Sequence, residues 1–285
     1  MFINVAEELN KARAEKYAIG AFNTSDLNIT KAIIAAAEDL NSPVIVETSE
    51  GEIDFLGAGT SAAEVINLAK NAKVPIALHL DHGKSYDTVK AAIEAGYTSV
   101  HFDGSTLPLV SNLEITQKVV KLAHSKGVPV EAEIGHIAGG SEMHKEKIVI
   151  SADSLTDPSE AAEFVRVTKV DVMAVAIGNI HGMYQNPPQL NFDLLAAIQK
   201  KVKTYFSLHG GSGIPARQVK RAVRMGIVKV NVNTELRLAF HQGLLHEFDV
   251  NPDEVIPYMY LPAGTEAVEK VVKQKIRMFG SAGKA

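Results

Sequence analysis

The sequence predicts an α/β fold, a (β/α)8 TIM barrel with an additional C-terminal helix. Short apolar runs alternate eight times with amphipathic segments of helical period along 285 residues. Several of these runs are apolar on both faces, as parallel strands covered by helices require. No interdomain linker or low-complexity tract interrupts the pattern. We therefore expect a single barrel domain over residues 1–285.

Each predicted unit is a strand followed by a helix. The expected strands cover residues 17–23, 43–49, 74–81, 99–104, 128–135, 172–178, 204–210 and 227–233. Helices are expected near 29–40, 61–72, 86–95, 112–125, 157 onward, 192–199, 214 onward and 234–247, with the additional helix at 262–279. Residues 139–154 lack a clear period, which is typical of a functional or disordered loop.

A doubly wound open sheet is the alternative fold. It would need fewer strands and, in its usual form, a glycine-rich turn after the first strand. Here that strand ends in Gly20-Ala21-Phe22-Asn23, which has no GxGxxG pattern. The barrel is therefore the favoured prediction.

The composition is that of an ordinary globular enzyme. It is 46% hydrophobic and 22% charged, with a net charge of −4, so no general affinity for nucleic acid or membrane is expected. The chain has no cysteine, so a metal ion would have to be held by histidine and carboxylate groups. The N-terminal stretch has no apolar signal-peptide core. A cytoplasmic enzyme is the expectation.

Polar residues cluster at the predicted strand ends. In a TIM barrel the carboxyl ends of the strands form the active-site rim. The strands end, in order, near Asn23, Ser49, Asp81-His82, Asp103, Glu133, His181, His209 and Asn231. Each residue alone could be a structural histidine or a helix cap. Together they predict one rim that holds one metal ion.

Three histidines, His82, His181 and His209, are the expected ligands. Three imidazoles with an open position form a standard catalytic zinc site, although cobalt, iron and manganese also bind imidazole. Neighbouring strand residues point to opposite faces, so Asp81 is not expected to share the ion with His82. Asp81 is then free to act as a general acid–base, or alternatively to orient a histidine.

The segment His209-Gly210-Gly211-Ser212-Gly213 directly precedes a predicted helix. Backbone N–H groups at such a turn can bind an anion, and the loops after strands seven and eight are the usual phosphate site of this fold. The alternative is a plain strand-to-helix turn. The nearby run from Asn231 to Thr234 favours a phosphorylated substrate.

These motifs resemble the class II, metal-dependent ketose-bisphosphate aldolases, which include fructose-1,6-bisphosphate and tagatose-1,6-bisphosphate aldolases. The resemblance covers nearly the whole chain in the family's order. It is carried by GAFN (20–23), TSEG (48–51), LHLDHG (78–83), FDGS (102–105), VEAEIG (130–135) with GG-S-E (139–142), AVAIGNIHGMY (174–184), LHGGSGIP (208–215) and KVNVNTE (229–235).

The resemblance implies a role for each candidate residue. His82, His181 and His209 would bind catalytic zinc, with Glu133 as a further ligand or a support for one. Asp81 would take the proton of the C4 hydroxyl, and Glu142 would exchange the C3 proton of dihydroxyacetone phosphate. The residues implied to bind substrate are Asn23, Ser49, Gly182, Gly210, Gly211, Ser212, Asn231, Val232, Asn233, Thr234 and Arg237.

The implied reaction is reversible cleavage of fructose 1,6-bisphosphate to dihydroxyacetone phosphate and glyceraldehyde 3-phosphate, as in glycolysis and gluconeogenesis. The implied partners are therefore a sugar bisphosphate and triose phosphates. A monovalent cation (Na⁺ or K⁺) near the phosphate and a homodimer or homotetramer are also implied. Ser49 and Arg237 are the candidates for the distal phosphate. Gln185 and the segment YMYLPAGTE (258–266) lack basic residues that many members carry there.

Several alternatives remain. Asn233 favours fructose bisphosphate, whereas AVAIGNIHGMY and NTELRLAF are closer to the tagatose enzymes. A non-catalytic sugar-phosphate-binding subunit would be expected to lack Asp81 or a histidine ligand. A metal-dependent hydrolase would be expected to show an H-x-H pair on strand one, where this chain has GAFN. A Schiff-base aldolase would use a lysine, for which Lys229 is the candidate.

Overall fold

Eight parallel strands close into a barrel in the computed structural model, which describes residues 1–144, 149–187 and 189–285. The strands are β1 (Ile19–Asn23), β2 (Val44–Ser49), β3 (Ile76–Gly83), β4 (Ser99–Phe102), β5 (Val130–Ile134), β6 (Met143–His144), β7 (Val172–Val175), β8 (Met183–Tyr184), β9 (Tyr205–Leu208) and β10 (Ile227–Val232). The barrel order is β1-β10-β9-β7-β5-β4-β3-β2, while β6 and β8 pair separately. The predicted barrel is confirmed.

Helices cover the outside of the barrel and follow the predicted pattern. They are α1 (Ala6–Glu15), α2 (Leu27–Asp39), α3 (Glu50–Leu56), α4 (Ala58–Asn71), α5 (Tyr86–Ala95), α6 (Leu109–Ser125), α7 (Pro158–Thr168), α8 (Phe192–Lys201), α9 (Ala216–Arg224), α10 (Thr234–Val250) and α11 (Pro257–Phe279). The sequence analysis did not predict α1 and α3. Both are short or poor in apolar residues, so their helical period is weak.

Side-chain caps fix where several of the helices begin. Asp157 accepts hydrogen bonds from the backbone N–H groups of Ser159 and Glu160, and Pro158 occupies the first helical position. Ser85 accepts from the Thr88 N–H at the start of α5. These caps satisfy N–H groups that have no partner inside the helix. They fix the residues at which α7 and α5 begin.

Helix α1 closes the N-terminal end of the barrel. Leu9 and Ala12 on α1 are buried in a cluster with Ala77 and Val228 from the strands. The chain before α1 is also anchored, because the Ile3 N–H donates to the Ile76 carbonyl. Burying a side chain such as Leu9 contributes about 1.5–3 kcal/mol. With this end filled, the accessible end is the rim that carries the histidines.

The additional C-terminal helix begins five residues earlier than predicted. It starts at Pro257 and contains Pro262 in its interior. Proline is most readily accommodated in the first helical turn, where its missing N–H costs nothing, and Pro257 rather than Pro262 holds that position. Helix α11 packs against the rest of the domain through Val268, Val272 and Ile276, which are fully buried. Among the described residues, no helix is long and apolar enough to cross a lipid bilayer.

The barrel interior holds a charged layer below the rim. Glu47, His79, Glu131 and Lys229 are each no more than 2% exposed. Lys229 Nζ lies 2.9 Å from Glu131 Oε2 and 3.5 Å from Glu47 Oε2. Several strands were expected to be apolar on both faces. The strand residues that form this layer are charged or polar instead. Charge pairing allows these groups to be buried.

Candidate active site

The end of β3 brings both Asp81 and His82 into the rim pocket. The β3–β4 register shifts between Leu80 and Gly83, and His82 has a left-handed backbone with φ of +48°. His82 Nε2 consequently lies 3.9 Å from Asp81 Oδ1. The prediction that these two side chains point to opposite faces is wrong, because it assumed a regular strand. Asp81 therefore lies within reach of the same ion as His82.

The ring nitrogens of the three predicted histidines converge. His82 lies between the other two, with its Nε2 3.2 Å from His181 Nε2 and 2.9 Å from His209 Nδ1. Nitrogens bound tetrahedrally to zinc at 2.0–2.1 Å are about 3.4 Å apart, so these separations are close to those of a shared ion. Ligand atoms of Asp81, His82, His101 and His209 form a group that lies within 4.8 Å of one another, and His181 joins it through His82. His181 and His209 come from segments after β7 and β9, and His82 ends β3.

The remaining nitrogens of two of these rings are held by carboxylates. His82 Nδ1 lies 2.8 Å from Asp103 Oδ2, and His209 Nε2 lies 2.7 Å from Glu131 Oε1. Such partners fix the tautomer and direct the free lone pair, as is usual for metal-binding histidines. The donor set therefore fits a divalent metal ion such as zinc.

Burial and charge set the protonation of the ligand candidates. Burial, together with charge on His82, lowers the pKa of His181 to about 3. Burial also lowers the pKa of His209, and it outweighs the opposing hydrogen bond to Glu131. For His82, burial opposes protonation, but Asp81 and Asp103 raise its pKa to about 10. Two imidazoles are thus neutral and ready to bind, while the third must lose a proton.

Glu133 lies behind His82, in a second group with Asp103 whose ligand atoms are all within 4.8 Å of one another. Its Oε1 accepts from the Ile137 N–H at 3.0 Å, and Oε2 is buried with no hydrogen-bond partner. Burial, reinforced by the charge on Asp103, raises the pKa of Glu133 to about 8. This placement is compatible with either role implied for it by the family resemblance.

Asp81 is held as a carboxylate by two amides. Asn23 Nδ2 donates to Asp81 Oδ2 at 3.0 Å, and Asn231 Nδ2 donates to Oδ1 at 3.1 Å. Burial opposes ionisation of Asp81, but the charge on His82 and the hydrogen bond from Asn23 hold its pKa well below the usual range. An ionised, precisely oriented carboxylate is what a general base requires.

The pocket above these groups has a volume of about 380 Å³. It is lined by most of the residues predicted from the sequence, namely Asn23, Ser49, Asp81, His82, His181, Gly182, His209, Gly210, Ser212, Asn231, Asn233, Thr234 and Arg237. These side chains and backbone groups come from six strand ends. The structure thus brings together the groups that the strand-end pattern singled out.

Four predicted residues do not line the pocket. Glu133 lies beneath it, as described above. The Gly211 N–H donates to the Asn231 carbonyl at 2.8 Å, and Val232 is fully buried in β10. The side chain of Glu142 is 73% exposed, 3.9 Å from His144 Nδ1. Gly211 and Val232 therefore support the pocket wall, and Glu142 lies on the loop that borders it.

The loop bearing Glu142 is attached to the His181 segment. β6 pairs with β8 in the register Met143 to Met183, and His144 Nε2 lies 3.0 Å from the His181 carbonyl oxygen. Gly182 has a φ of +99°, and a Cβ there would meet His144 Nε2 at 2.5 Å. Only glycine therefore allows this close approach between the loop and the ligand segment.

The chain matches the family model described as fructose-bisphosphate aldolase class-II over residues 3–284. The chain belongs to this family of class II aldolases. It is 41% identical to fructose-bisphosphate aldolase of Geobacillus stearothermophilus over 289 residues, which cover 99% of this chain and 98% of the relative. The expectation of a class II aldolase is thereby confirmed.

Two further matches are a relative named for another substrate and a solved aldolase structure. The chain is 42% identical to 6-phospho-5-dehydro-2-deoxy-D-gluconate aldolase of Bacillus licheniformis, covering 100% of this chain and 97% of the relative. The crystal structure of the YdjI aldolase from Escherichia coli K12 superimposes with a TM-score of 0.86 at 33% identity, covering 100% of both chains. Relatives of nearly equal identity to this chain therefore carry different substrate names.

Three buried groups that were not predicted from the sequence support this site. Glu131 contacts His209, and His101 accepts from the His82 N–H at 3.3 Å through Nδ1. Glu52 on α3 binds Arg237, Asn23 and Ser49. His101 and Glu131 lie on β4 and β5 two residues before Asp103 and Glu133, so strand parity could have indicated them. Glu52 gave no such signal, because α3 itself was not predicted.

Proposed function

We propose that this protein catalyses reversible, metal-dependent aldol cleavage of a ketose 1-phosphate, releasing dihydroxyacetone phosphate and an aldehyde. The convergence of His82, His181 and His209 beside the carboxylate of Asp81 carries this proposal. Fructose 1,6-bisphosphate is the first substrate to assay. Tagatose 1,6-bisphosphate and 6-phospho-5-dehydro-2-deoxy-D-gluconate are the alternatives that the sequence motifs and the named relatives supply.

The metal proposed for the three histidines is zinc. When bound, zinc would act as a Lewis acid toward the charge that develops on the C2 oxygen of the ketone half. The chain contributes the orientation of the ligands, since Asp103 and Glu131 hold two of the imidazoles. A monovalent cation near the phosphate remains a prediction from the family resemblance.

Asp81 would move the proton in the bond-breaking step. Its carboxylate takes the proton of the C4 hydroxyl, the C3–C4 bond breaks, and the electron pair of that bond passes into the enediolate of the ketone half. In condensation Asp81 returns the proton to the aldehyde oxygen. The amides of Asn23 and Asn231 hold the carboxylate throughout. Glu142 is the proposed group for proton exchange at C3, from the loop bordering the pocket.

The phosphate of the ketone half would bind at the glycine-containing strand ends and the start of α10. Gly182, Gly210 and Thr234 line the pocket there, and Thr234 begins α10. Backbone N–H groups and the positive end of a helix dipole favour an anion at such a place. None of these three residues is a carboxylate, and their backbone N–H groups would be the hydrogen-bond donors to the phosphate.

Self-association of the aldolase is also proposed. Exposed apolar side chains surround the turn between α10 and α11, with Val255 81%, Tyr258 76% and Met259 56% exposed. A surface of this kind favours association with a second copy. Light scattering at micromolar concentration would show a dimer or tetramer, and a monomer would refute this proposal. The cytoplasmic location stays a prediction.

An assay of fructose 1,6-bisphosphate cleavage, measured as release of dihydroxyacetone phosphate, tests the proposed reaction. The protein would be assayed as prepared, after removal of metal with a chelator, and after addition of zinc. We expect activity to be lost and then restored. If only one of the alternative substrates released dihydroxyacetone phosphate, the proposed reaction would stand and the proposed substrate would change. Silence with all of them after zinc loading, together with no exchange of the C3 protons of dihydroxyacetone phosphate, would refute the proposal.

A further inference from the structure

A buried carboxylate lies behind one end of the pocket and has no part in the mechanism above. Glu52, on α3, is 5% exposed. Its Oε2 accepts from the Ser49 N–H at 2.7 Å and from Asn23 Nδ2 at 3.1 Å. Its Oε1 accepts from Arg237 Nη2 at 2.7 Å and from Asn233 Nδ2 at 3.4 Å. One internal anion thus occupies donors from four pocket-lining residues.

This end of the pocket is next to the group that handles the aldehyde half. The amide of Asn23 donates both to Asp81, at 3.0 Å, and to Glu52, at 3.1 Å. In the proposed function Asp81 exchanges a proton with the C4 oxygen, which leaves with the aldehyde. The rest of the aldehyde must therefore extend over residues bound to Glu52, or close to them.

The buried carboxylates also fix which way the neighbouring amides face. A carboxylate accepts but does not donate hydrogen bonds, so the NH₂ groups of Asn23 and Asn233 must turn toward Glu52 and that of Asn231 toward Asp81. The Oδ1 atoms of all three asparagines are left buried without a hydrogen-bond partner. Each of these residues lines the pocket. The N–H groups of these amides are therefore committed to carboxylates of the chain, and the hydrogen-bonding capacity left to them is that of acceptors.

The charge balance leads to the same conclusion. Among the described residues that line the pocket, Lys84 and Arg237 are the cations other than histidine. Arg237 is paired with Glu52, so its charge is cancelled by the chain itself. A phosphate here would meet a neutralised arginine and unpaired amide oxygens. A hydroxyl group could donate to those oxygens, whereas a phosphate dianion has no proton to donate.

We infer that Glu52 determines specificity by making this end of the pocket select an uncharged, hydroxyl-bearing aldehyde over one that ends in a phosphate. The inference rests on the proposed function and narrows it to ketose 1-phosphates that lack a distal phosphate. Glu52 acts through Asn23, Asn233 and Arg237, so it is a positioning residue. Replacing Glu52 should therefore change which aldehyde is preferred. It should leave proton exchange of dihydroxyacetone phosphate intact.

The test measures kcat/KM for condensation of dihydroxyacetone phosphate with D-glyceraldehyde and with D-glyceraldehyde 3-phosphate. These aldehydes differ only in the distal phosphate. For the wild-type, zinc-loaded protein we expect the uncharged aldehyde to be favoured by about tenfold or more. In Glu52→Gln the ratio should shift by about tenfold or more toward the phosphorylated aldehyde, because Arg237 regains its net charge. Asp54→Asn, on the exposed face of α3, is the matched control and should keep the wild-type ratio.

Exchange of the C3 protons of dihydroxyacetone phosphate with deuterated water, without any aldehyde, separates the two proposals. Absence of exchange by the zinc-loaded wild type would refute the proposed function, and the inference with it. Normal exchange with a wild-type preference for glyceraldehyde 3-phosphate would overturn the inference alone. An unchanged ratio in a Glu52→Gln protein that still exchanges protons would also overturn it. If that variant did not fold, the wild-type ratio would decide.

Discussion

His209 and Glu131 share a hydrogen bond inside the barrel, with His209 Nε2 2.7 Å from Glu131 Oε1. Lys229 Nζ lies 2.9 Å from the other oxygen of the same carboxylate. Burial opposes ionisation of Glu131, but Lys229 and the hydrogen bond from His209 hold its pKa well below the usual range. The metal-facing nitrogen of His209 is therefore oriented from below the rim by an ionised carboxylate.

Replacing this carboxylate should weaken metal binding. We expect Glu131→Gln to lower zinc affinity by about 10–100-fold, because a neutral amide is a poorer acceptor for the His209 N–H. Competition with a chromophoric chelator measures the affinity directly. Glu94→Gln, which removes an exposed carboxylate from α5, is the control. Equal zinc affinity in Glu131→Gln and wild type would show that Glu131 does not orient the ligand.

Asp81→Asn should separate metal binding from chemistry. The asparagine keeps the size of the side chain but cannot accept the proton of the C4 hydroxyl. We expect zinc content to be unchanged and cleavage to fall by about 10²–10⁴-fold, the usual contribution of a general acid–base. Metal analysis and steady-state kinetics on the same preparation measure both. Near-normal turnover would mean that another group carries the proton.

Zinc binding should release protons. The pKa of His82 in the metal-free protein is raised to about 10, since Asp81 and Asp103 outweigh the effect of burial. A ligand nitrogen must be unprotonated, so binding at pH 7.5 should release about one proton from His82. Protons and zinc compete, so affinity should rise as the pH is raised toward 10. Calorimetry in two buffers of different ionisation enthalpy counts the protons.

Asp103→Asn supplies the control for that measurement. It removes the carboxylate 2.8 Å from His82 Nδ1 and should lower the pKa of His82. Fewer protons should then be released at pH 7.5. Identical proton release by both proteins would show that the pair of His82 and Asp103 does not control the competition.

Lys229 should not form a Schiff base. Burial disfavours its charge, but Glu131 and Glu47 outweigh burial and raise the pKa of Lys229. An ammonium that is protonated and 2% exposed is a poor nucleophile. We expect no labelling of Lys229 when borohydride is added to the protein with its substrate, as read by peptide mass spectrometry. A reduced adduct at Lys229 would overturn the metal-dependent mechanism.

The barrel and the three converging histidines were predictable because one rule governs both. Parallel strands of a barrel end at the same rim, so residues such as His82 and His209 meet although 127 positions separate them. The repeated apolar runs fixed the strands, and their last residues fixed the candidates. No contact distance was needed for that step.

The remaining parts depended on local backbone and on charge pairing. The left-handed conformation of His82 breaks strand parity, so the placement of Asp81 relative to His82 was mispredicted. Glu131 and Lys229 are buried only because each neutralises the other, which sequence periodicity does not reveal. Glu52 lies in a seven-residue helix that was not predicted, since a segment that short has little helical signal.

The most direct test of the metal-dependent aldolase follows the C3 protons of dihydroxyacetone phosphate in deuterated water by NMR. The experiment compares protein as prepared, protein stripped of metal, and stripped protein reloaded with zinc. Exchange that disappears with the metal and returns with zinc is the predicted result. Undiminished exchange after verified metal removal would mean that His82, His181 and His209 do not serve as the ligands of a catalytic ion.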